Sequence, residues 1–143
     1  MLPPAALAPC VIIHGAPELA AVLALAGERP PRLLSAPGAA GSWGVGGFRA
    51  LLQAHGALPL GILDAADAPG HALAALRVGF RAVVLDPAVP AFPSLAVLFA
   101  SEGATLIPEA PPALDLARVQ LHKLQGRAHL ARWLGLPRTP DLA

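Results

Sequence analysis

The stretch LPLGILDAADAPGHALAALRVGFRAVVLDP, residues 58–87, decides the fold. It opens on a short, continuously apolar run, LGILDA (60–65), and closes on a second, AVVLDP (82–87). A run with no polar alternation is what a strand covered on both faces requires. Between them GHALAALRVG places its apolar residues at helical spacing and ends on glycine, a residue suited to closing a helix. Strand, helix and strand within about thirty residues make a parallel βαβ unit.

The same alternation recurs on both sides. CVIIHG (10–15), RLLSAP (32–37) and ATLIPE (104–109) read as further strands, and their starts lie 22 to 28 residues apart. PELAAVLALAGE, GGFRALLQAHG and FPSLAVLFASEG read as the intervening helices, with Pro17 and Pro93 near helix starts, where a missing N–H costs little. Five parallel strands with helical crossovers follow. A closed eight-stranded barrel takes about 250 residues. The expectation is therefore an α/β chain with a five-stranded parallel sheet, either flavodoxin-like or a partial (βα) barrel.

One α/β domain is expected over residues 1–143. Its βα repeats fill 10–110, and a proline break, PEAPPA, introduces the remainder, 111–143. There Leu114, Ala117, Leu121, Leu124, Ala128, Ala131 and Leu134 recur at spacings of three and four. That pattern predicts an amphipathic C-terminal helix over 114–135, docked on the sheet or used in a homodimer contact. An open sheet edge is the other expected place for a second copy, because an uncovered edge invites strand pairing.

Composition narrows the function classes. Hydrophobic residues make up 55% and charged residues only 13%, which excludes a disordered chain. A net charge of +1 provides no field for nucleic acid or an anionic membrane. Gly, Pro or charge interrupts every apolar run before the roughly 20 residues a membrane helix needs. Cys10 is the single cysteine, so no internal disulfide forms and a reducing, cytoplasmic setting is the default. The start MLPPAALAPCVII lacks the positive region of an export signal, and prolines break it.

Ligands of α/β folds bind beyond the carboxyl ends of the strands. Those ends carry His14, Ser35, Asp64 with Asp67, Asp86 and Glu109, on a chain with nine acids in all. Asp67, just before Ala68-Pro69, suits a helix N-cap. Asp64 and Asp86 fit capping of the following helices and ligand binding about equally. The glycine-rich GAAGSWGVGGF (38–48) matches neither phosphate-loop pattern and reads as a flexible, lid-like connection. His122 and His129 sit on one face of the expected terminal helix with no third ligand, and no Ser-His-Asp set can be assembled, because Ser35 has no base. No metal site and no cofactor is expected. A signalling receiver is disfavoured because the first strand ends in His14-Gly15 and the one lysine, Lys123, lies near the terminus.

Taken in order, RLLSAPGAAGSWGVGGFRALLQAHGALPLGILDAAD, ALAALRVGFRAVVLDP and LAVLFASEGATLIPEA resemble the first five strands of class II, zinc-dependent fructose-bisphosphate aldolases. The resemblance covers roughly residues 10–110. It implies that Ser35 stands near the substrate position, that Asp64 matches the proton-donating aspartate, and that Asp86 and Glu109 match acids of strands four and five. Ala65 stands where that family has a zinc-binding histidine, and Ile107 where it has a glutamate. Strands six to eight, with the other two zinc histidines, have no counterpart in the resemblance. A catalytic zinc normally needs three protein ligands. The resemblance therefore implies a non-catalytic, aldolase-derived protein that binds or serves as a structural, oligomeric subunit. The alternative is a small metabolite-binding protein or enzyme that uses the strand-end acids for a sugar, a sugar phosphate or a divalent cation.

Overall fold

The computed structural model describes residues 8–38 and 44–136. Residues 1–7 of the stretch read for an export signal and residues 39–43 of the glycine-rich connection lie outside the described residues. Within them are six strands and five helices of the α/β class. In chain order these are β1 (Cys10–Ile13), α1 (Ala16–Ala26), β2 (Arg32–Ser35) and α2 (Val45–Ala54). Then follow β3 (Gly61–Asp64), α3 (Pro69–Arg77), β4 (Ala82–Val84), α4 (Phe92–Ser101), β5 (Thr105–Ile107), β6 (Leu114–Asp115) and α5 (Leu124–Trp133). No helix among the described residues is long and apolar enough to cross a membrane.

The chain divides into two compact units, Met1–Leu33 with Pro111–Ala143, and Leu34–Ala110, so that β2 contributes residues to both. In the Leu34–Ala110 unit, β3, β4 and β5 pair in parallel as chain-order neighbours, with Leu63 opposite Val83, and Val83 opposite Leu106. Every residue of β3 and β4 is buried, which is why both runs are continuously apolar. Helix α2 buries Phe48 and Leu52, and α3 buries Ala72, Ala75 and Leu76. The Phe48 and Phe80 rings stack with centroids 5.9 Å apart, and the Arg49 side chain donates to the Val78 carbonyl at 2.8 Å.

In the other unit, β1 pairs in parallel with β6, Ile12 opposite Asp115. This corrects two expectations, the strand count of five and the continuous helix over 114–135. Leu114–Asp115 is a strand, Leu116–Arg118 is a single 3-10 turn, and the terminal helix begins only at Leu124. The apolar stripe itself is real, but its first members serve the strand and the turn. Asp115 caps the 3-10 turn by accepting the Ala117 N–H at 3.0 Å. His122 accordingly sits in the turn before α5 and shares no helix face with His129.

Gly126 is the third residue of α5. It is the place where the Gln120 carbonyl crosses the first turn of α5, so close that a β-carbon would collide with that backbone. The Trp133 indole donates to the Cys10 carbonyl at 2.7 Å, tying α5 to β1. Cys10 is fully buried, and burial pushes its thiol up to about 12, which leaves it inert as a nucleophile.

Candidate functional site

Strand β3 ends at Asp64 because the side chain there turns the backbone. Its Oδ1 accepts the Ala66 N–H at 2.9 Å, an Asx turn that competes with further strand pairing. Ala66 takes the left-handed conformation, φ 54°, and is the only non-glycine among the described residues to do so. That geometry costs an alanine about 1–2 kcal/mol. The turn carries the Ala66 carbonyl to the Asp86 N–H at 2.8 Å, locking the ends of β3 and β4 together. Asp86 repeats the device by accepting the Ala88 N–H at 2.9 Å.

These ends surround an open depression of about 470 Å³ lined by Asp64, Asp67, Asp86 and Glu109, together with Pro87 and Pro108. No lysine, arginine or histidine lines it. Three sequence-predicted residues, Asp64, Asp86 and Glu109, are thus brought to one site. Asp67 joins them as a lining residue and not as the expected helix cap. The N-cap of α3 is Ala68, with no side-chain cap bond, and Asp67 is exposed.

Ser35 is fully buried, and its hydroxyl oxygen accepts the Asp64 N–H at 2.9 Å. It supports the site by fixing the backbone at Asp64 and is not among the lining residues. His14 belongs to the other unit. There its backbone N–H donates to Glu18, and its Nε2 donates to Asp115 Oδ1 at 2.7 Å. Asp115 went unnoticed in the sequence because its segment reads as helix. Only the β1–β6 register, which nothing in the local pattern announces, places it beside His14.

The electrostatics of the acids differ. Asp64 is only 7% exposed, and burial raises its carboxyl above the ordinary carboxylate range, partly opposed by the bond from the Ala66 N–H. For Asp115, burial again pushes upward, but the bonds from His14 and the Ala117 N–H and the charge of Arg118 prevail, and its carboxyl lies below that range.

A testable consequence follows for Asp64. Its folded-state pKa lies above its unfolded value, so the native state binds more protons between the two, and stability falls as pH rises through that window. The cost persists at higher pH. Asp64→Asn keeps an oxygen for the Ala66 N–H and removes the buried charge. Thermal melts should show the variant more stable than wild type at neutral pH, with the difference vanishing near pH 3, where both side chains are neutral. An unchanged difference at every pH would contradict the assignment.

The zinc that the aldolase family carries would find no ligand set among the described residues. Ala65, at the position of a ligating histidine, is a buried methyl only 1% exposed. Among the described residues no three His, Cys, Asp or Glu side chains stand close enough to hold a metal ion. A second cavity, of about 480 Å³, opens near the starts of β3 and β4 between Gln53, Leu58, Pro59 and Arg81. Its lining includes residues that follow α2 and α3, Gly56 and Gly79, and Arg81 donates to the Glu102 carbonyl at the end of α4 at 3.2 Å. That is helix-end packing, away from the strand ends at which α/β folds take ligands. No family model, curated protein or solved structure matches the chain.

Proposed function

We propose that the chain is a non-catalytic binding module built on an aldolase-like βα frame, with the depression at the ends of β3, β4 and β5 as its ligand site. The observation that carries this reading is the use made of two of the strand-end acids, of which Asp64 matches the proton-donating position of the family resembled. Asp64 and Asp86 each commit an oxygen to a turn N–H of their own chain, and the residue after Asp64 is a buried alanine. A carboxylate serving as a general acid or base needs to reach the proton of a bound substrate, and it acts beside groups that stabilise the charge formed. Neither a cation nor an imidazole lines this depression.

The lining also selects among ligands. Four carboxylates with no compensating cation repel phosphate, so a sugar phosphate is disfavoured. Their remaining oxygens accept hydrogen bonds, which favours a neutral sugar or polyol with several hydroxyl donors. A divalent cation would want six or more oxygens close together, and among the described residues no three His, Cys, Asp or Glu side chains are placed to hold one.

The experiment is a titration of isotope-labelled protein, followed by backbone amide shifts, with fructose and separately with fructose 1,6-bisphosphate. Shifts confined to Ala66, Ala88 and Ala110 with the neutral sugar support the reading. The same shifts with the bisphosphate alone would overturn the assignment of ligand class.

A further inference from the structure

The net charge of +1 is a sum of unlike parts. Residues 116–140 hold Arg118, Lys123, Arg127, Arg132 and Arg138, half of the chain's ten Lys and Arg, and no acid. Residues 34–110 hold five acids against three arginines. Such segregation gives the terminal segment a local field that the total conceals. Arg118, Lys123, Arg127 and Arg132 are all exposed. The acid that precedes the segment, Asp115, is bonded to His14 and to the Ala117 N–H. Helix α1, which packs on α5, has Glu18 as its one acid, and that carboxylate accepts the His14 N–H. Lys123 and Arg132 have no carboxylate partner among the described residues.

Helix α5 turns Leu130 and Ala131 inward and presents Gln125, His129 and Arg132, four and three residues apart, on its exposed side. Trp133, four positions after His129, borders that side with 38% exposure, and its bond to the Cys10 carbonyl holds the ring in place. Lys123 stands at the positive end of the helix, where no acid occupies the first turn, so its charge disfavours the helix until an anion neutralises it. Exposed donors, flanking cations and a fixed aromatic ring are the chemistry that holds a phosphate backbone with an unpaired base stacked beside it. An anionic membrane fits less well, because a helix lying in a membrane needs a free apolar face, and that of α5 is buried. Its exposed Leu124 and Trp133 stand nine positions apart, about two and a half turns, and so lie on opposite sides. An acidic peptide would use the cations and leave the ring without a flat partner.

We infer that the exposed side of α5, with Arg118 and Lys123 before it, binds single-stranded nucleic acid, the cations on phosphates and Trp133 against a base. None of these residues lines the acidic depression, so the inference stands independently of the ligand proposed there.

Fluorescence anisotropy of a labelled oligouridylate of about twelve nucleotides, titrated with the full chain across a salt series, tests it. The expected result is micromolar binding at low salt that weakens about 20–50-fold between roughly 50 and 200 mM salt, the slope for three or four neutralised phosphates of a single strand. Arg132→Gln should weaken binding several-fold and reduce the logarithmic salt slope by about 0.7. Arg77→Gln, the same charge change at an exposed position of α3, should alter neither. Glutamine is a good helix former, so both variants should fold, which far-UV circular dichroism checks. Absence of binding at low salt would overturn the inference, and so would equal effects of the two variants, which would mean total charge alone. A preference for a duplex of equal length, equal affinity for polyglutamate, or binding confined to phosphatidylserine vesicles would each overturn it as well.

Discussion

Phe80→Ala should lower stability by about 3–5 kcal/mol, the range for deleting a fully buried aromatic ring. Phe80 is 0% exposed and follows the turn that ends α3, where its N–H closes on the Ala75 carbonyl at 3.0 Å. Its ring stacks on Phe48, nearly parallel at an interplanar angle of 5°, and lies against Gly61 at the start of β3. The ring therefore joins α2, the α3–β4 connection and β3. Removing it leaves a cavity in the middle of the Leu34–Ala110 unit and strands the face of Phe48. Stability in natural domains is about 5–15 kcal/mol, so such a loss is a large share of the total. In thermal unfolding the midpoint should fall by roughly 10–20 °C. Phe80→Leu, which retains more of the volume, should cost less than half as much. A loss below about 1 kcal/mol for the alanine variant would mean that the ring is not packed as described.

The second large effect is expected from a substitution that adds a single methyl group. Gly126→Ala places a β-carbon on the Gln120 carbonyl, 2.6 Å from its carbon atom. Alanine is the better helix former by about 1 kcal/mol, so propensity alone predicts stabilisation. The collision involves backbone, which cannot rotate away as a side chain does. The turn before α5 must therefore shift, along with the Lys123 N–H bond to Gln120 at 3.0 Å and the Arg127 bond to the Leu121 carbonyl at 3.1 Å. Sterics should win, with a net loss of about 1–3 kcal/mol by chemical denaturation. A gain in stability would show that the chain does not cross the helix there. Gly70→Ala, at a helix position where a β-carbon meets open space, is the matched control and should stabilise slightly.

The parts of the fold that the sequence displays are those in which local pattern and burial agree. CVII, RLLS, GILD, AVV and TLI all form strands, since unbroken apolar runs bounded by Gly, Pro or Asp have few other ways to be buried. The four helices between them appear within a few residues of expectation, with prolines in the first turn of α1 and α4 as read. The terminal segment misled because a stripe at spacings of three and four is neutral about where a helix begins. Leu114 and Leu121 fit the stripe, but the partner of Leu114 is Val11, more than a hundred residues away. No periodicity encodes such a pairing.

The site shows the same division. That Asp64, Asp86 and Glu109 share one end of their strands follows from the parallel βα repeat, with Asp64 opposite Val84 and the Asp86 N–H bonded to the Ala66 carbonyl. What each carboxylate does there was not visible. Asp67 looked like a helix cap and proved to be a lining residue, whereas Ser35 looked like a ligand contact and is fully buried beneath Asp64. Those roles depend on side-chain direction, which the sequence constrains only through neighbours it does not identify.

The most direct test of the central claim, binding without catalysis, is to follow protein and titrant in one sample by nuclear magnetic resonance. Fructose, and then fructose 1,6-bisphosphate with added zinc, would be titrated into the labelled full chain. Fructose should perturb the amides of Ala66, Ala88 and Ala110, and the bisphosphate should leave them in place and be recovered uncleaved. Cleavage of the bisphosphate that disappears in Asp64→Asn would contradict it.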